Sequence, residues 1–147
     1  MSSKETETLN TTNPQISAGL VIIQDNKILL GHPTGQKWQG TYSIPKGHLE
    51  TNETSLETAI RETKEEVGID LKPNDFDIID SGTINYASAK GVIYKKVRYF
   101  TIYVKHHIEI DKKKLQKEEI DWAGFLDKKE AEKRIFWRQK EILKYLK

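Results

Sequence analysis

Residues 47–69 read GHLETNETSLETAIRETKEEVGI, and this stretch contains the clearest helix in the chain. Thr54 and Glu57 stand three residues apart, as in a capping box, so we expect Thr54 to cap a helix that begins at Ser55. Gly68 stands where a glycine commonly ends a helix. The pattern therefore predicts a helix over residues 55–67. Its apolar stripe consists of Leu56, Ile60, Thr63 and Val67.

A second stripe on this helix is acidic. Glu62, Glu65 and Glu66 stand at positions i, i+3 and i+4, so the three carboxylates are neighbours on the helix surface and repel one another. One interpretation is a solvated face, because glutamate is a good helix former. The other is a site for a hard divalent cation, since Mg²⁺ takes oxygen ligands and completes its shell with substrate phosphates and water.

The spacing around these glutamates favours the cation site. Gly47, Glu53, Arg61-Glu62, Glu65-Glu66 and Gly68 are separated by five, seven, two and one residues, and an apolar residue follows. This stretch resembles the Nudix box, and the chain is identified as a member of the Nudix hydrolases. The one departure is a threonine at position 63, where the box has a bulky aliphatic residue. With the flanking strands and the terminal helix, the resemblance covers residues 16–146.

The resemblance implies roles for the box residues. Glu62, Glu65 and Glu66 correspond to the metal-binding glutamates, with Mg²⁺ or Mn²⁺ as the cofactor, and the backbone carbonyl of Gly47 joins them. Arg61 corresponds to the arginine that orients these carboxylates. Hydrolysis of a pyrophosphate linkage needs charge neutralisation on the phosphates and an activated water, and clustered Mg²⁺ ions supply both.

Further acidic residues enter through the same resemblance. Glu53 corresponds to the box glutamate that braces the loop against the helix. Glu118 and Glu119 precede Ile120, where many family members place another acidic ligand or the general base. We take Glu119 as a candidate catalytic residue, while the choice between Glu118, Glu119 and a box glutamate as the general base stays open. The alternative is a solvated pair in a Lys/Glu-rich loop.

Residues around the box are candidates for substrate binding. Trp38 and the run Pro45-Lys46-Gly47-His48 are similar to those of asymmetrically cleaving diadenosine tetraphosphate hydrolases, and also to those of RNA 5′-end pyrophosphohydrolases. We expect Lys46 to meet a phosphate and Tyr86, Trp38 or Tyr94 to stack a base. Positive charge near the expected phosphate chain comes from Lys90, Lys95, Lys96 and Arg98, of which we take Lys96 as the candidate. For each of them the alternative is an ordinary loop or core residue.

Three functions follow as hypotheses. The first, which we favour, is cleavage of a dinucleoside polyphosphate such as diadenosine tetraphosphate. The second is removal of pyrophosphate from RNA 5′ ends or hydrolysis of nucleoside triphosphates, although no extended basic stripe is present for an RNA body. The third is a module that binds nucleotides without turnover, which the intact box disfavours. The oligomeric state stays open.

The rest of the sequence predicts one α/β domain over residues 16–147. Asp25-Asn26 separates two apolar runs and predicts a hairpin. The run from Asp127 to Glu130 is a second capping box, and it opens a predicted helix that reaches Leu146 with one break. The predicted strands are residues 16–24, 27–30, 76–86, 92–107 and 119–125, with a loop over 31–41 and an extended piece over 42–45. Together with the resemblance, this order implies an α/β/α sandwich with a mixed β-sheet between helices.

Composition limits the class of protein. The 147 residues suit one domain, and 24 Lys and Arg against 22 Asp and Glu give a net charge of +2, which excludes a strongly basic nucleic-acid coat protein. The absence of cysteine excludes disulfide scaffolds and fits a reducing compartment, so we expect a cytoplasmic protein. No apolar run approaches the length of a membrane span. Residues 1–15 are polar and predict a flexible tail.

Overall fold

The computed structural model describes residues 13–147. Residues 1–12, most of the predicted tail, lie outside the described residues, and Gln15 is already the first residue of a strand. The predicted hairpin is present as strand β1 (Gln15–Gln24) and strand β2 (Lys27–Pro33). Asp25 and Asn26 form its turn with φ angles of 53° and 57°, the left-handed conformation that a two-residue hairpin turn of this kind requires.

The remaining elements follow the predicted order. The strands are β3 (Lys46–His48), β4 (Phe76–Ala87), β5 (Ile93–Val104) and β6 (Ile120–Leu126). The helices are α1 (Ser55–Val67), α2 (Lys128–Arg134) and a 3₁₀ helix (Trp137–Tyr145), besides two short 3₁₀ turns (Pro73–Asp75 and Lys112–Lys114). Within residues 13–147, no helix is long and apolar enough to cross a membrane.

The strands form one mixed sheet of six strands. Its order is β4-β5-β1-β2-β6, with β3 also paired to β1. β1 and β5 are parallel, whereas the other pairs are antiparallel. β1 therefore lies at the centre of the sheet, and this position explains its long apolar run, because a central strand with covered faces needs apolar residues on both sides.

The sheet lies between two helical layers, as an α/β/α sandwich requires. On one face α1 packs through Ala59 and Val67 against side chains such as Leu20 of β1. On the other face α2 and the 3₁₀ helix pack through residues such as Ile142 against Val21. Neighbouring residues of β1 thus point into different cores, as strand alternation dictates.

The observed bounds differ from the predicted ones by more than one residue in three places. In addition, β3 was not predicted as a strand and follows the extended piece predicted over residues 42–45. β2 continues to Pro33, three residues into the predicted loop, because it pairs with β6 over that length. β5 ends at Val104, three residues before the predicted end. The terminal helix is interrupted at Ile135 and Phe136 and then continues as a 3₁₀ helix. Ile135 is buried in the core and its backbone bridges to Tyr42, which accounts for the break.

Helix α1 has the predicted ends. The Thr54 hydroxyl accepts a hydrogen bond from the Glu57 backbone N–H at 3.1 Å, and the Glu57 carboxylate accepts one from the Thr54 N–H at 2.9 Å. Gly68 ends the helix with φ 74°, and its N–H donates to the Lys64 carbonyl. The Asp127 side chain caps α2 in a similar way, by accepting from the Glu130 N–H at 2.9 Å.

Candidate active site

Arg61 lies at the centre of an ionic network on α1. Its Nε and Nη2 donate to the two Glu53 carboxylate oxygens at 2.7 and 3.0 Å, a bidentate pair. Its Nη1 donates to Glu62 at 3.0 Å and to Glu65 at 3.2 Å, and Nη2 also reaches the His48 carbonyl at 3.1 Å. Arg61 therefore connects the helix carboxylates to the loop before the helix.

Glu53 anchors this loop to the start of α1. Besides Arg61, it accepts hydrogen bonds from the Thr58 hydroxyl at 2.5 Å and the Glu50 backbone N–H at 3.2 Å. The hydrogen bonds from Arg61 and Thr58 lower the pKa of Glu53 to about 2. Because Glu53 stays ionised and saturated with donors, its contacts suit the bracing role that the resemblance implies.

Glu66 is buried, although the sequence pattern placed it on an acidic stripe separate from the apolar one. Its side chain is 7% exposed, and one carboxylate oxygen accepts a hydrogen bond from the Lys46 backbone N–H at 2.8 Å. Burial raises its pKa to about 8, against the nearby positive charge of Lys46. Glu62, one turn earlier, is also poorly exposed, and burial raises its pKa as well. Two carboxylates deprived of water in this way are expected to bind a cation.

Gly47 lies directly against the Glu62 carboxylate. A Cβ at this position would overlap the Glu62 carboxylate, so any larger residue would force that side chain to move. Glycine lets the β3 backbone approach the carboxylate without displacing it. This contact explains the glycine of the box through close approach, without any unusual backbone angle.

The buried glutamates open into a cavity of about 400 Å³. Its lining contains four glutamates and two lysines besides other residues. The lining residues are Ser17, Lys46, Gly47, His48, Leu49, Glu50, Glu62, Glu66, Lys95 and Glu119. Glu119 therefore joins the two helix glutamates, whereas its neighbour Glu118 is not part of the lining. Within the described part of the chain, no three acidic or histidine side chains form a complete metal cluster. The donors fit Mg²⁺ nonetheless, because this ion uses one or two carboxylates and takes its other ligands from phosphates and water.

Several of the predicted site residues do not line this cavity. Arg61 binds the carboxylates from the side, Tyr86 lines a second cavity, and Glu65, Lys96 and Trp38 also lie outside the first. Glu65 is half-exposed and turned towards Arg61. Lys96 lies one residue from Lys95 on β5, so the two side chains point to opposite faces of the sheet, and Lys95 is the one that lines the cavity. Trp38 is 53% exposed and stacks on the buried His32 ring. The two ring centres are 3.6 Å apart and the angle between the ring planes is 2°.

A second cavity, of about 360 Å³, adjoins the first. Its lining includes Tyr86, Phe136 and Gln139, together with Lys46, which lines both cavities. The Tyr86 ring is almost fully buried, and its hydroxyl accepts a hydrogen bond from the Gln139 amide at 3.0 Å. Tyr86 and Lys46 thus line the same cavity, where the Tyr86 ring also packs against Phe136.

Sequence reasoning missed Gln139 as a site residue, and among the four cations it named near the phosphate chain it chose Lys96 and not Lys95 as the candidate. Burial and the neighbouring Lys46 ammonium lower the pKa of Lys95 to about 8. The Gln139 side chain accepts from the Ile44 N–H at 3.1 Å and donates to Ser43 and Tyr86 at 3.0 Å. The alternation of β5 was a signal that could have separated Lys95 from Lys96, whereas nothing local marks Gln139.

The raised pKa of Glu66 makes a prediction for the metal-free protein. A glutamate in the unfolded chain titrates near 4.5, whereas Glu66 in the folded protein titrates near 8, so the folded state binds a proton more tightly between these values. This stabilisation is complete below pH 4.5 and is lost as the pH rises through 8. We expect the free energy of unfolding in EDTA to fall over this window, by at most about 1.4 kcal/mol per pH unit for one proton.

Urea unfolding at several pH values from 5 to 8 measures this effect. The control is Glu66→Gln, which cannot titrate at this position and should show a flatter profile than the unsubstituted protein. Identical profiles for the two proteins would contradict the prediction.

Comparison with known proteins agrees with this geometry. A family model described as the NUDIX domain matches residues 13–146. The chain belongs to the Nudix family. Among the curated proteins, the Nudix chain is 37% identical over 57 residues to an "ADP-ribose pyrophosphatase" of Methanocaldococcus jannaschii, a match that covers 39% of this chain and 34% of that protein. The part of the chain that matches therefore spans about a third of the length of this relative.

Solved structures with a similar fold include those of two enzymes. Two are structures of a C. elegans Ap4A hydrolase: one, a binary complex, has a TM-score of 0.67 at 22% identity and covers 88% of this chain and 93% of that one. The other has a TM-score of 0.57 at 26% identity, and the match covers 81% of this chain and 84% of that one. An E. coli dihydroneopterin triphosphate pyrophosphohydrolase has a TM-score of 0.66 at 23% identity, and the match covers 90% of this chain and 95% of that one. These similarities support the fold of the Nudix chain.

Proposed function

We propose that this Nudix protein is a Mg²⁺-dependent hydrolase of phosphoanhydride bonds, and that its substrate is a dinucleoside polyphosphate such as diadenosine tetraphosphate. The observation that carries the proposal is the arrangement of the two adjoining cavities. One contains the buried carboxylates, the other contains aromatic rings, and Lys46 lines both. A molecule with phosphates at one end and a base at the other matches this arrangement.

The chain's own donors would hold the ion between protein and phosphate. The ligands we assign are Glu62, Glu66 and the Gly47 carbonyl. Glu65 is hydrogen-bonded to Arg61 and does not line the cavity. When bound, Mg²⁺ neutralises phosphate charge and lowers the pKa of a coordinated water. Arg61 keeps the carboxylates oriented through its hydrogen bonds to Glu62 and Glu65.

Glu119 is the residue we assign to proton transfer. Its carboxylate lines the cavity with Glu62 and Glu66 and comes from a different segment of the chain. In the proposed step, a water oxygen attacks phosphorus, the bond to the bridging oxygen breaks, and Glu119 accepts the proton of the water. The leaving phosphate carries away the electron pair of the broken bond. Lys46 and Lys95 bind the phosphate oxygens, because both side chains line the cavity.

The second cavity is our candidate site for one base. Tyr86 and Phe136 supply aromatic surface, and stacking accepts any base because every base has a π face. Trp38 lies on a different loop surface and keeps its stacking role only as a prediction. The similarity to the C. elegans Ap4A hydrolase supports a dinucleoside polyphosphate. The absence of cysteine fits a cytoplasmic enzyme.

Steady-state kinetics on Tyr86 and Lys46 variants test this assignment. Tyr86→Leu removes the ring and should raise KM for diadenosine tetraphosphate by roughly tenfold, as expected for a lost stacking contact of about 1–2 kcal/mol. Tyr86→Phe keeps the ring and should stay within about threefold of the unsubstituted enzyme. Lys46→Ala should lower kcat as well, if the ammonium meets charge that develops during cleavage.

A triphosphorylated short RNA serves as the comparison substrate. The proposal is contradicted if this RNA is cleaved far better than diadenosine tetraphosphate. It is also contradicted if Tyr86→Leu leaves KM for the dinucleotide unchanged while its melting temperature stays normal.

A further inference from the structure

Beside the aromatic cavity, the protein exposes a cluster of rings around one arginine. Trp137 is 63% exposed and Tyr94 is 49% exposed, which is unusual for side chains of this size. The Arg138 guanidinium carbon lies 4.2 Å from the centre of the Trp137 ring and 5.6 Å from that of Tyr94. We refer to Tyr94, Trp137 and Arg138 as the outer platform.

The outer platform is continuous with the aromatic cavity. The Arg138 guanidinium also lies 5.8 Å from the centre of the Tyr86 ring, and Tyr86 contacts Tyr94 edge-to-face at 6.4 Å. Phe136 lines the cavity and packs against Trp137, with the two ring centres 6.1 Å apart. The route from the carboxylates therefore passes Lys46, enters the cavity at Tyr86 and ends on exposed aromatic surface.

Positive charges follow the same route. Lys95 lines the acidic cavity and its ammonium lies 5.5 Å from the centre of the Tyr86 ring. Over residues 13–147, no carboxylate forms an ion pair with Lys46, Lys95 or Arg138. Three cations without acidic partners beside a series of rings suit a ligand that alternates negative charge with flat aromatic groups.

We infer that the outer platform binds the second, distal base of the dinucleoside polyphosphate, an assignment that rests on the proposed function. The base stacks on the Trp137 or Tyr94 ring, and Arg138 meets the phosphate or ribose beside it. The platform thereby distinguishes a substrate with two bases from one with a single base. A longer nucleic acid would need an extended track of cations, whereas this cluster offers one arginine between two rings.

The test compares two substrates that differ only in the distal nucleoside. Trp137→Ala and Tyr94→Ala should each raise KM for diadenosine tetraphosphate by about five- to tenfold, the range expected for one lost stacking contact. With adenosine tetraphosphate, which has no second base, the rise should be at most twofold. Trp137→Phe keeps a ring and should restore most of the loss. Tyr103→Ala is the matched control, because Tyr103 is 43% exposed and lines a different cavity with His106 and His107.

The outcomes separate this inference from the proposed function. If the unsubstituted enzyme cleaves diadenosine tetraphosphate and the platform variants raise KM equally for both substrates, or for neither, the distal-base assignment is wrong while the proposed function stands. If the platform variants lose only a triphosphorylated RNA substrate, the platform binds RNA and the assignment is again wrong. If the unsubstituted enzyme does not cleave the dinucleotide, both are wrong.

Discussion

Glu66→Gln is expected to lower kcat by a factor on the order of 10³ while the fold is retained, because the substitution removes a charged ligand from the proposed metal site without changing the shape of the side chain. The Gln side chain can still accept the hydrogen bond that the Lys46 N–H now donates to the carboxylate at 2.8 Å. Since Glu66 is buried with a raised pKa, the neutral substitution should also stabilise the metal-free protein at pH 8.

Kinetics at saturating Mg²⁺ and melting in EDTA check these two effects. Glu109→Gln is a suitable control, because its carboxylate is 88% exposed and far from α1 in sequence. A kcat within tenfold of the unsubstituted enzyme would show that Glu66 is not a metal ligand. A clear drop in melting temperature would instead make it a structural residue.

Gly47→Ala is expected to reduce kcat by about 10², again without unfolding the protein. The new Cβ would lie 2.1 Å from Glu62 Cδ, so the carboxylate has to move by an ångström or more. Displacement of a catalytic group by about 1 Å can cost a factor of 10². The effect acts through Glu62, and this dependence provides a specific control.

The control is the same substitution in a Glu62→Asp background. The shorter side chain leaves room for a Cβ at position 47, so Gly47→Ala should cost much less there than in the unsubstituted enzyme. Equal losses in both backgrounds would mean that the glycine has another role. Activity of Gly47→Ala within fivefold of the unsubstituted enzyme would contradict the close-approach argument altogether.

Helix α1 could be predicted from sequence because its signals are local. The Thr54 capping box, the apolar repeat and Gly68 all lie within fifteen residues, and each has a direct structural meaning. The hairpin at Asp25-Asn26 was predictable for the same reason. The sandwich arrangement followed from the order of these elements together with the resemblance to the Nudix family.

Other features depend on contacts that are distant in sequence. Glu66 is buried because the segment that contains Lys46 folds over it, and the helical pattern alone assigned it to a separate acidic stripe. The terminal helix is interrupted because Ile135 is drawn into the core beside Tyr42. Gln139 enters the site through hydrogen bonds to residues more than fifty positions away.

The choice between Lys95 and Lys96 shows a third kind of limit. Adjacent residues of a strand point to opposite faces, so choosing Lys96 over Lys95 as the candidate selected the cation on the other side of the sheet from the one that lines the cavity. The β5 pattern could have favoured Lys95, because it lies two and four residues before Val97 and Tyr99. The three side chains therefore point to the same face of the sheet, where Val97 and Tyr99 are buried. The sequence alone did not say which of the two faces adjoins Lys46.

Incubation of the unsubstituted protein with diadenosine tetraphosphate and Mg²⁺, followed by chromatography of the products, tests whether the protein hydrolyses a dinucleoside polyphosphate. We expect equal amounts of ATP and AMP, the products of hydrolysing an outer anhydride bond, as the resemblance to asymmetrically cleaving hydrolases implies. We also expect no products in EDTA and cleavage slower by a factor on the order of 10³ with Glu66→Gln. ADP-ribose, a nucleoside triphosphate and a triphosphorylated RNA, tested in parallel, should be poorer substrates. Cleavage that persists in EDTA, or preference for one of these other substrates, would contradict the proposed function.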